Sequence, residues 1–462
     1  DALNEYLVDK LNLKVNIFYW KAKEWEEKMT TMISSGQDVG VIGFGSQSKL
    51  DYVVQANRGA FYPLDDLLDQ YGTGTKALFS EGVWDCMKIN GKTYGIPSLK
   101  DNCYIISMVY NADMLEEFGI NLDDYPYSNW RGLKDLLYVA KEKRDELHPE
   151  FTEQGIPIAW GSELESPYNF AVESFLNDSF LAVCNIDGIN DIAGFDSNKV
   201  FNLYATEEYK QFCVEKQKMV EDGIYAYDYT DKTDWSYSGG VFAYVGWGYT
   251  YMQDHLYGDK FVTKMKVSDH IWTDTNNYFS AGTAISANCA NPERAMMLLE
   301  LVNTDPAVAT MMRFGIEGKH YVKNDQGKMV FEGSERNGGN RADYGYYYWY
   351  GAPIGNLTIV NAPESLIGPD GIMLTKMKEY NNSATLPQHM GFVFDVAPVT
   401  NEIAACTNVV MEYRDTLRNG RLGSQQEVED AIAEFNQKLI DNGIEKITTE
   451  VQKQIDAWNA TR

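Results

Sequence analysis

The sequence predicts an α/β protein made of more than one folded unit, and three observations carry that expectation. The chain has 462 residues, more than a single compact core holds, so two or three sub-domains are expected. Its first hundred residues alternate between apolar patterns of helical and of strand period. Hydrophobic residues make up 44% and charged residues 23%, ordinary values for a soluble globular protein. No window approaches the roughly 18 consecutive apolar residues that a membrane-spanning helix needs.

Residues 2–11 read as a short amphipathic helix, after which Leu13, Val15 and Ile17 alternate like a strand. A parallel α/β unit needs a strand before its first helix. That strand is therefore expected upstream of Asp1, and the start of the chain reads as trimmed. Trp25, Met29, Met32 and Ile33 share one helical face, and Ser34-Ser35-Gly36 ends that helix. A buried strand is expected over Val39–Phe44. Pro63 then opens a helix with Leu64, Leu67, Leu68 and Tyr71 on one side before Gly72 stops it. Strand-helix-strand-helix order predicts a parallel sheet covered by helices.

Further on, Ile89–Ile96 is a hairpin built on Asn90-Gly91, the strongest short turn signal. Tyr104–Tyr110 reads as a strand entering a helix over Asp113–Phe118. Helices are expected near 131–147, 168–182 and 207–222, and strands over Val241–Val245 and Ala281–Ser286. Asn291-Pro292-Glu293 caps another helix. Residues 324–341 are polar and Gly-rich, as in an exposed loop or hairpin. The C-terminal hundred residues are mainly helical, with Val428, Ile432, Phe435 and Leu439 on one stripe and Ile447, Val451, Ile455 and Trp458 on another.

Charge narrows the function classes. Forty basic against 67 acidic residues leave a net charge of −27, which repels nucleic acid and anionic membrane surfaces. Six cysteines lie scattered without CxxC spacing, five histidines show no metal-ligand spacing, and no HExxH, GxSxG or P-loop is present. No catalytic residue, metal or cofactor is assigned. Asp187-Gly188…Asn190-Asp191 is oxygen-rich but lacks the EF-hand frame.

Aromatic content stands out, with 31 tyrosines and ten tryptophans. Many fall in polar, glycine-containing runs: Asp234-Trp235-Ser236-Tyr237, Gly246-Trp247-Gly248-Tyr249 and Tyr346–Tyr350. Flat amphipathic rings suit the apolar C–H faces of sugars, whose rims hydrogen-bond. Ordinary packing between sub-domains is the competing reading of each cluster.

Several stretches, in order, resemble family 1 extracellular solute-binding proteins. These are Trp25…Met29…Met32-Ile33-Ser34-Ser35-Gly36-Gln37-Asp38, Gly59-Ala60-Phe61-Tyr62-Pro63-Leu64-Asp65-Asp66-Leu67 and Asn90-Gly91-Lys92-Thr93-Tyr94-Gly95-Ile96-Pro97. Val109–Leu115 is similar to the family's crossover into the second lobe, and Asn291-Pro292-Glu293-Arg294-Ala295 to its helix start. Gly315–Tyr321 resembles a loop of large sugar-binding lipoproteins from Gram-positive bacteria. Residues Gly391–Glu402 and Glu450–Trp458 resemble the C-terminal module those proteins carry. The family's lipobox cysteine and first strand do not appear in this sequence, and Gly40 stands where an acidic residue commonly follows the turn.

The resemblance implies a two-lobed, periplasmic-binding-protein-like α/β fold of the Venus-flytrap type, with central mixed sheets flanked by helices and a helical C-terminal extension. Under it, residues 1–110 form the first part of lobe 1 and 111–280 the first part of lobe 2. Residues 281–323 return to lobe 1, and 324–462 complete lobe 2 and form the C-terminal module. It further implies a monomeric, extracellular, membrane-anchored component of an ABC importer. Such a protein binds an oligosaccharide in an aromatic interlobe cleft, closes on it and presents it to the permease membrane subunits. Ligands on open α/β sheets sit beyond the carboxyl ends of strands, and this rule selects the candidate ligand-binding residues. Phe44, Ser46 and Gln47 follow the first strand, although a plain strand-helix connection explains them equally well. Lys100 and Asp101 follow the hairpin and suit sugar hydroxyls or an acidic sugar; a solvated ion pair is the alternative. Trp160, Trp247 and Tyr249 end strands, Tyr278 precedes the return strand, and Tyr347 and Trp349 lie in an aromatic run. A peptide binder of the same fold and a glycoside hydrolase with two flanking acids are the competing functions.

Overall fold

The computed structural model describes residues 2–18, 20, 22–45, 50–104, 106–125, 130–160, 170–176, 179–225, 240–247, 263–267, 270–330, 354–362 and 371–461. The chain divides into two compact units, one of Asp1–Cys103 with Thr273–Ser383 and the other of Tyr104–Trp272 with Ala384–Arg462. The chain thus passes between units at 103/104, 272/273 and 383/384, where the sequence analysis set 110, 280 and 323. The last difference is the largest and has a hydrogen-bonded cause. Leu357 N donates to Leu99 O at 2.8 Å. The Asn381 amide accepts from Asn102 N (2.9 Å) and donates to Lys100 O (2.6 Å), so helix Ile372–Ser383 stays with the first unit.

The first unit is built on a three-stranded sheet in the order Val41–Gly45, Ala281–Ile285, Gly95–Pro97. Both pairings are antiparallel, with Ile42 opposite Ala284 and Thr283 opposite Ile96. The expected parallel neighbours are therefore separated by a return strand that runs the other way. Nearly every strand residue is buried, as a sheet covered on both faces requires. Phe44 fits because its ring lies over two glycines. A Cβ on Gly282 would come within 2.2 Å of Phe44 Cζ, and one on Gly95 within 2.6 Å of Phe44 Cε1.

Around this sheet the local signals act as physics requires. Asn90 and Gly91 take φ of 52° and 78°, joining Lys88–Ile89 to Lys92–Thr93 in a tight turn. Helix Asp65–Tyr71 buries Leu67 and Leu68 against Met296 and Leu299 of helix Pro292–Thr304. Its entry is pinned by Leu64 N donating to Thr93 O at 2.7 Å. Asn291 precedes helix Pro292–Thr304 as expected, but its side chain makes no capping bond. Residues 13–17 form no strand. The Asn4 side chain takes both backbone groups of Val15, accepting from its N–H (2.7 Å) and donating to its carbonyl (2.9 Å), so no ladder partner is needed. Leu13 and Val15 pack instead against Leu7, Val302 and Val308.

The second unit carries a mixed four-stranded sheet in the order Thr263–Val267, Ile106–Asn111, Ala243–Trp247, Ala159–Trp160. Only the last pairing is parallel. Asn111 ends its strand and caps helix Ala112–Glu117, its Oδ1 accepting from Asp113 N (3.1 Å) and Met114 N (3.3 Å). Helix Trp130–Leu147 buries Leu133, Leu136, Leu137 and Ala140 against Met108, Tyr110 and Phe242. Its Arg144 is 1% exposed, and Nη1 donates to the Pro157 and Gly240 carbonyls at 2.9 and 3.1 Å.

The expected helix near 168–182 is a hairpin, Glu173–Leu176 paired with Ser179–Cys184. Its apolar residues face a core completed from the far end of the chain. Helix Thr400–Arg418 supplies Cys406, Val409 and Val410 to it, helix Gln425–Asp441 supplies Val428, Ile432, Phe435 and Leu439, and helix Ile444–Asn459 supplies Ile447, Val451 and Ile455. Ser424 caps the middle helix by accepting from Glu427 N, while Glu427 reaches back to Gly423 N at 2.8 Å. The buried His389 Nδ1 faces Glu173 Oε2 at 2.8 Å and ties the start of this region to the hairpin.

Candidate functional site

The predicted residues fall into three groups. Ser46, Gln47, Tyr249, Tyr347 and Trp349 lie outside the described residues. Trp160 and Trp247 are placed by their backbones alone. They lie on adjacent strands of the second unit's sheet, with Trp160 opposite Tyr244, three residues before Trp247. The two positions are thus about 10 Å apart along the strand direction, near the carboxyl ends of a parallel pair.

The remaining four have described side chains. Phe44 is 0% exposed, its ring 4.7 Å from Tyr52 and 6.3 Å from Phe61. It is a core residue and offers no surface to a ligand. Tyr278 is 5% exposed, stands edge-on to Phe79, and hydrogen-bonds Thr273, so burial raises its hydroxyl above the ordinary range. It packs inside the first unit and does not face solvent.

Lys100 and Asp101 sit on a rigid loop. Asn102 Oδ1 accepts from Lys100 N at 2.9 Å, its Nδ2 donates to Ser98 O at 3.1 Å, and Thr273 Oγ1 donates to Asn102 O at 2.6 Å. Lys100 Nζ lies 3.5 Å from Asp101 Oδ1. About a quarter of the Asp101 side chain reaches solvent, yet protein surrounds most of the carboxyl. Desolvation outweighs the attraction of Lys100 and raises its pKa above the usual carboxylate value.

A group that the strand-end rule missed is better exposed. Phe18, Trp20 and Trp25 form a ladder in the first unit. The Phe18 and Trp20 centroids are 5.7 Å apart with planes 19° from parallel, and Trp25 lies 5.3 Å beyond at 53°. Trp25 occupies the first turn of helix Ala22–Ser34, where side chains lean towards the helix N-terminus and so towards Trp20. Phe18 is 47% exposed, with Ile17 beside it at 40%. The Lys28 ammonium stands 5.6 Å over the Trp20 ring and is held by Glu24 at 2.7 Å. Trp25 Nε1 is buried and has no hydrogen-bond partner among the described residues. The readable signal was the run Phe18-Tyr19-Trp20.

The exposed Phe18 ring, with the half-buried Trp20 beside it and the Lys28 ammonium close by, can stack on a pyranose ring and hydrogen-bond its hydroxyls. The oxygen-rich stretch near Asp187 has a different fate. Asn185 Nδ2 donates to the Ile192 and Phe195 carbonyls, and Asn190 Nδ2 to those of Phe170 and Ala171, so amides close the loop.

Comparison with known proteins adds to this geometry. Over 98% of its length the chain is 24% identical to a carbohydrate ABC transporter substrate-binding protein of Streptococcus pneumoniae serotype 4, covering 86% of that protein. The solved N-glycan transport solute binding protein (NgtS) of S. pneumoniae superposes with a TM-score of 0.76 at 21% identity, covering 99% of this chain and 94% of that one. The chain has the fold of the extracellular solute-binding proteins. The same solute-binding protein in complex with Man5GlcNAc gives a TM-score of 0.64 at 21% identity, over 100% of this chain and 95% of that one. Residues 388–460 match a domain of unknown function, DUF3502, which occurs in solute-binding proteins of this kind. The matched stretch takes in helices Thr400–Arg418, Gln425–Asp441 and Ile444–Asn459. In this solute-binding fold it is therefore the part that completes the second unit's core.

Proposed function

We propose that this chain is the extracellular substrate-binding component of an ABC importer and that its ligand is an oligosaccharide. The single observation that carries the sugar reading is the Phe18–Trp20–Trp25 ladder, an exposed aromatic face on a solute-binding fold. The carbohydrate-transporter relative and the glycan-bound neighbour support the same class, and mannose-containing glycans head the list to try. Lys100, Asp101, Trp160 and Trp247 are proposed as further contacts, together with Ser46, Gln47, Tyr249, Tyr347 and Trp349. Permease membrane subunits are the proposed protein partner. A monomeric state and a lipid anchor at the cell surface complete the proposal.

The relatives named here are binding proteins, which favours capture over turnover. The test is calorimetry on the intact chain with a panel of mannose-rich and other oligosaccharides beside a peptide pool. Saturable heat with a glycan supports the reading; heat with peptides alone overturns it. Released shorter sugars after long incubation would reinstate a glycoside hydrolase.

A further inference from the structure

We propose that the first unit carries a second binding site, separate from the aromatic ladder, for a small hydroxylated carboxylate of the sugar-acid class. The site is a groove of about 270 Å³ lined by Thr30, Ser34, Gln55, Arg58, Gly59 and Asn288, among others. It is open to solvent and roomy enough for several waters or one compact polar ligand.

Its position follows from the fold. The groove lies between the last turn of helix Ala22–Ser34, the end of helix Tyr52–Asn57 and the turn after strand Ala281–Ile285. Asn288 Nδ2 donates to Ile33 O at 2.8 Å, and Ser286 N donates to Gly40 O at 3.0 Å, which fixes the groove where strand Val41–Gly45 begins. Ligands of open α/β sheets bind at the opposite, carboxyl end. The ladder stands at the other end of the same helix, about 14 Å away along its axis.

Two side chains mark the groove as a site. Gln55 is 9% exposed, lines the groove, and its amide has no hydrogen-bond partner among the described residues. The amide opens onto the groove, where both its donor and its acceptor are available to a ligand. Arg58 is exposed and its guanidinium has no ion-pair or hydrogen-bond partner there either. The guanidinium is thus available to an anion in the groove. A planar guanidinium binds a carboxylate through two parallel N–H bonds. Beside it, the Gln55 amide and the Thr30 hydroxyl can donate and accept, and the Ser34 hydroxyl, which donates to Thr30 O at 2.5 Å, can still accept, matching hydroxyl groups better than a bare anion. No acidic side chain is among the lining residues, so nothing in the groove repels a carboxylate.

The proposal is independent of the transport reading, because failure of oligosaccharide binding leaves the groove unchanged. The test is calorimetry on the full chain with glucuronate and galacturonate, using glucose and inorganic phosphate as probes of charge and of hydroxyls. Saturable binding of a sugar acid is expected, weakened about tenfold or more by Arg58→Gln and several-fold by Gln55→Ala. Arg58→Lys should fall between, since it keeps the charge without the fork. Oligosaccharide affinity and thermal midpoint should not change in Arg58→Gln. The proposal is overturned if neither sugar acid binds, if Arg58→Gln binds it as well as wild type, or if glucose or phosphate binds as tightly.

Discussion

Phe18 exposes its ring and Trp20 is half-buried, both on a segment outside any helix or strand, so truncating them should change recognition without unfolding the unit. Phe18→Ala and Trp20→Ala are each expected to weaken oligosaccharide binding about tenfold, the range of a stacked aromatic contact, with unchanged thermal midpoints. Trp25→Phe keeps an aromatic ring and deletes a buried N–H without a partner among the described residues, so oligosaccharide affinity should change less than in Phe18→Ala or Trp20→Ala. Asp101 yields a pH prediction. Its folded pKa is raised, so the proton it holds favours the folded state below about pH 4. That contribution is lost as pH rises through the folded value, where the ionised carboxyl costs stability. Asp101→Asn should therefore raise the melting temperature at neutral pH, and the gain should vanish in acid; a gain independent of pH would refute this assignment.

At the scale of elements, the sheet of the first unit depends on glycine where Phe44 crosses it. Gly282→Ala places a Cβ against Phe44 Cζ and the Ile96 carbonyl, 2.2 and 2.6 Å away, and the backbone oxygen cannot swing aside. A loss of about 1–3 kcal/mol is expected in urea unfolding. Most elements with strong local signals were legible in the sequence. Helix Asp65–Tyr71 announced itself by Leu64, Leu67 and Leu68, the hairpin at Lys88–Thr93 by Asn-Gly, and helix Gln425–Asp441 by a four-residue apolar stripe. What failed was decided at a distance. Residues 170–184 are apolar at both ends, and a short apolar run reads equally as helix or strand. Asn177-Asp178 at its centre was the missed turn signal. Leu13–Ile17 has strand period, but the Asn4 amide takes the backbone groups a ladder would need. The site was less legible than the fold. Strand-end topology led to Phe44, which the sheet itself buries. The exposed rings lie on a segment that forms no strand at all.

At the scale of the whole molecule, charge and cysteine burial are the properties that solution measurements reach. A net charge of −27 repels itself in the compact state. Raising ionic strength from about 0.01 to 0.15 M shortens the screening length from roughly 30 to 8 Å and should raise the melting temperature. None of the six cysteines forms a disulfide; five are buried and Cys289 is half-buried. Burial pushes Cys406 up to about 11 and raises Cys184 and Cys289 as well, so these thiols stay protonated at neutral pH. A thiol-reactive dye should label the native protein slowly and at Cys289 first, and reach all six only in denaturant. Reducing agent should leave the melting temperature unchanged.

The join between hairpin Glu173–Cys184 and the three C-terminal helices also governs timing. Leu181, Val183 and Cys184 find their apolar partners in Val428, Phe435, Val451 and Ile455, which a ribosome makes more than two hundred residues later. At roughly 5–20 residues per second, the hairpin waits at least ten seconds for that share of its apolar cover, with only nearer residues such as Val200, Phe201 and Phe212 available to it. During that interval neither its strands nor Glu173 has a finished interior to enter. This part of the second unit therefore gains its full core only once the last helices emerge, whereas the cluster around Met108, Leu137 and Phe242 has all its partners in hand much earlier.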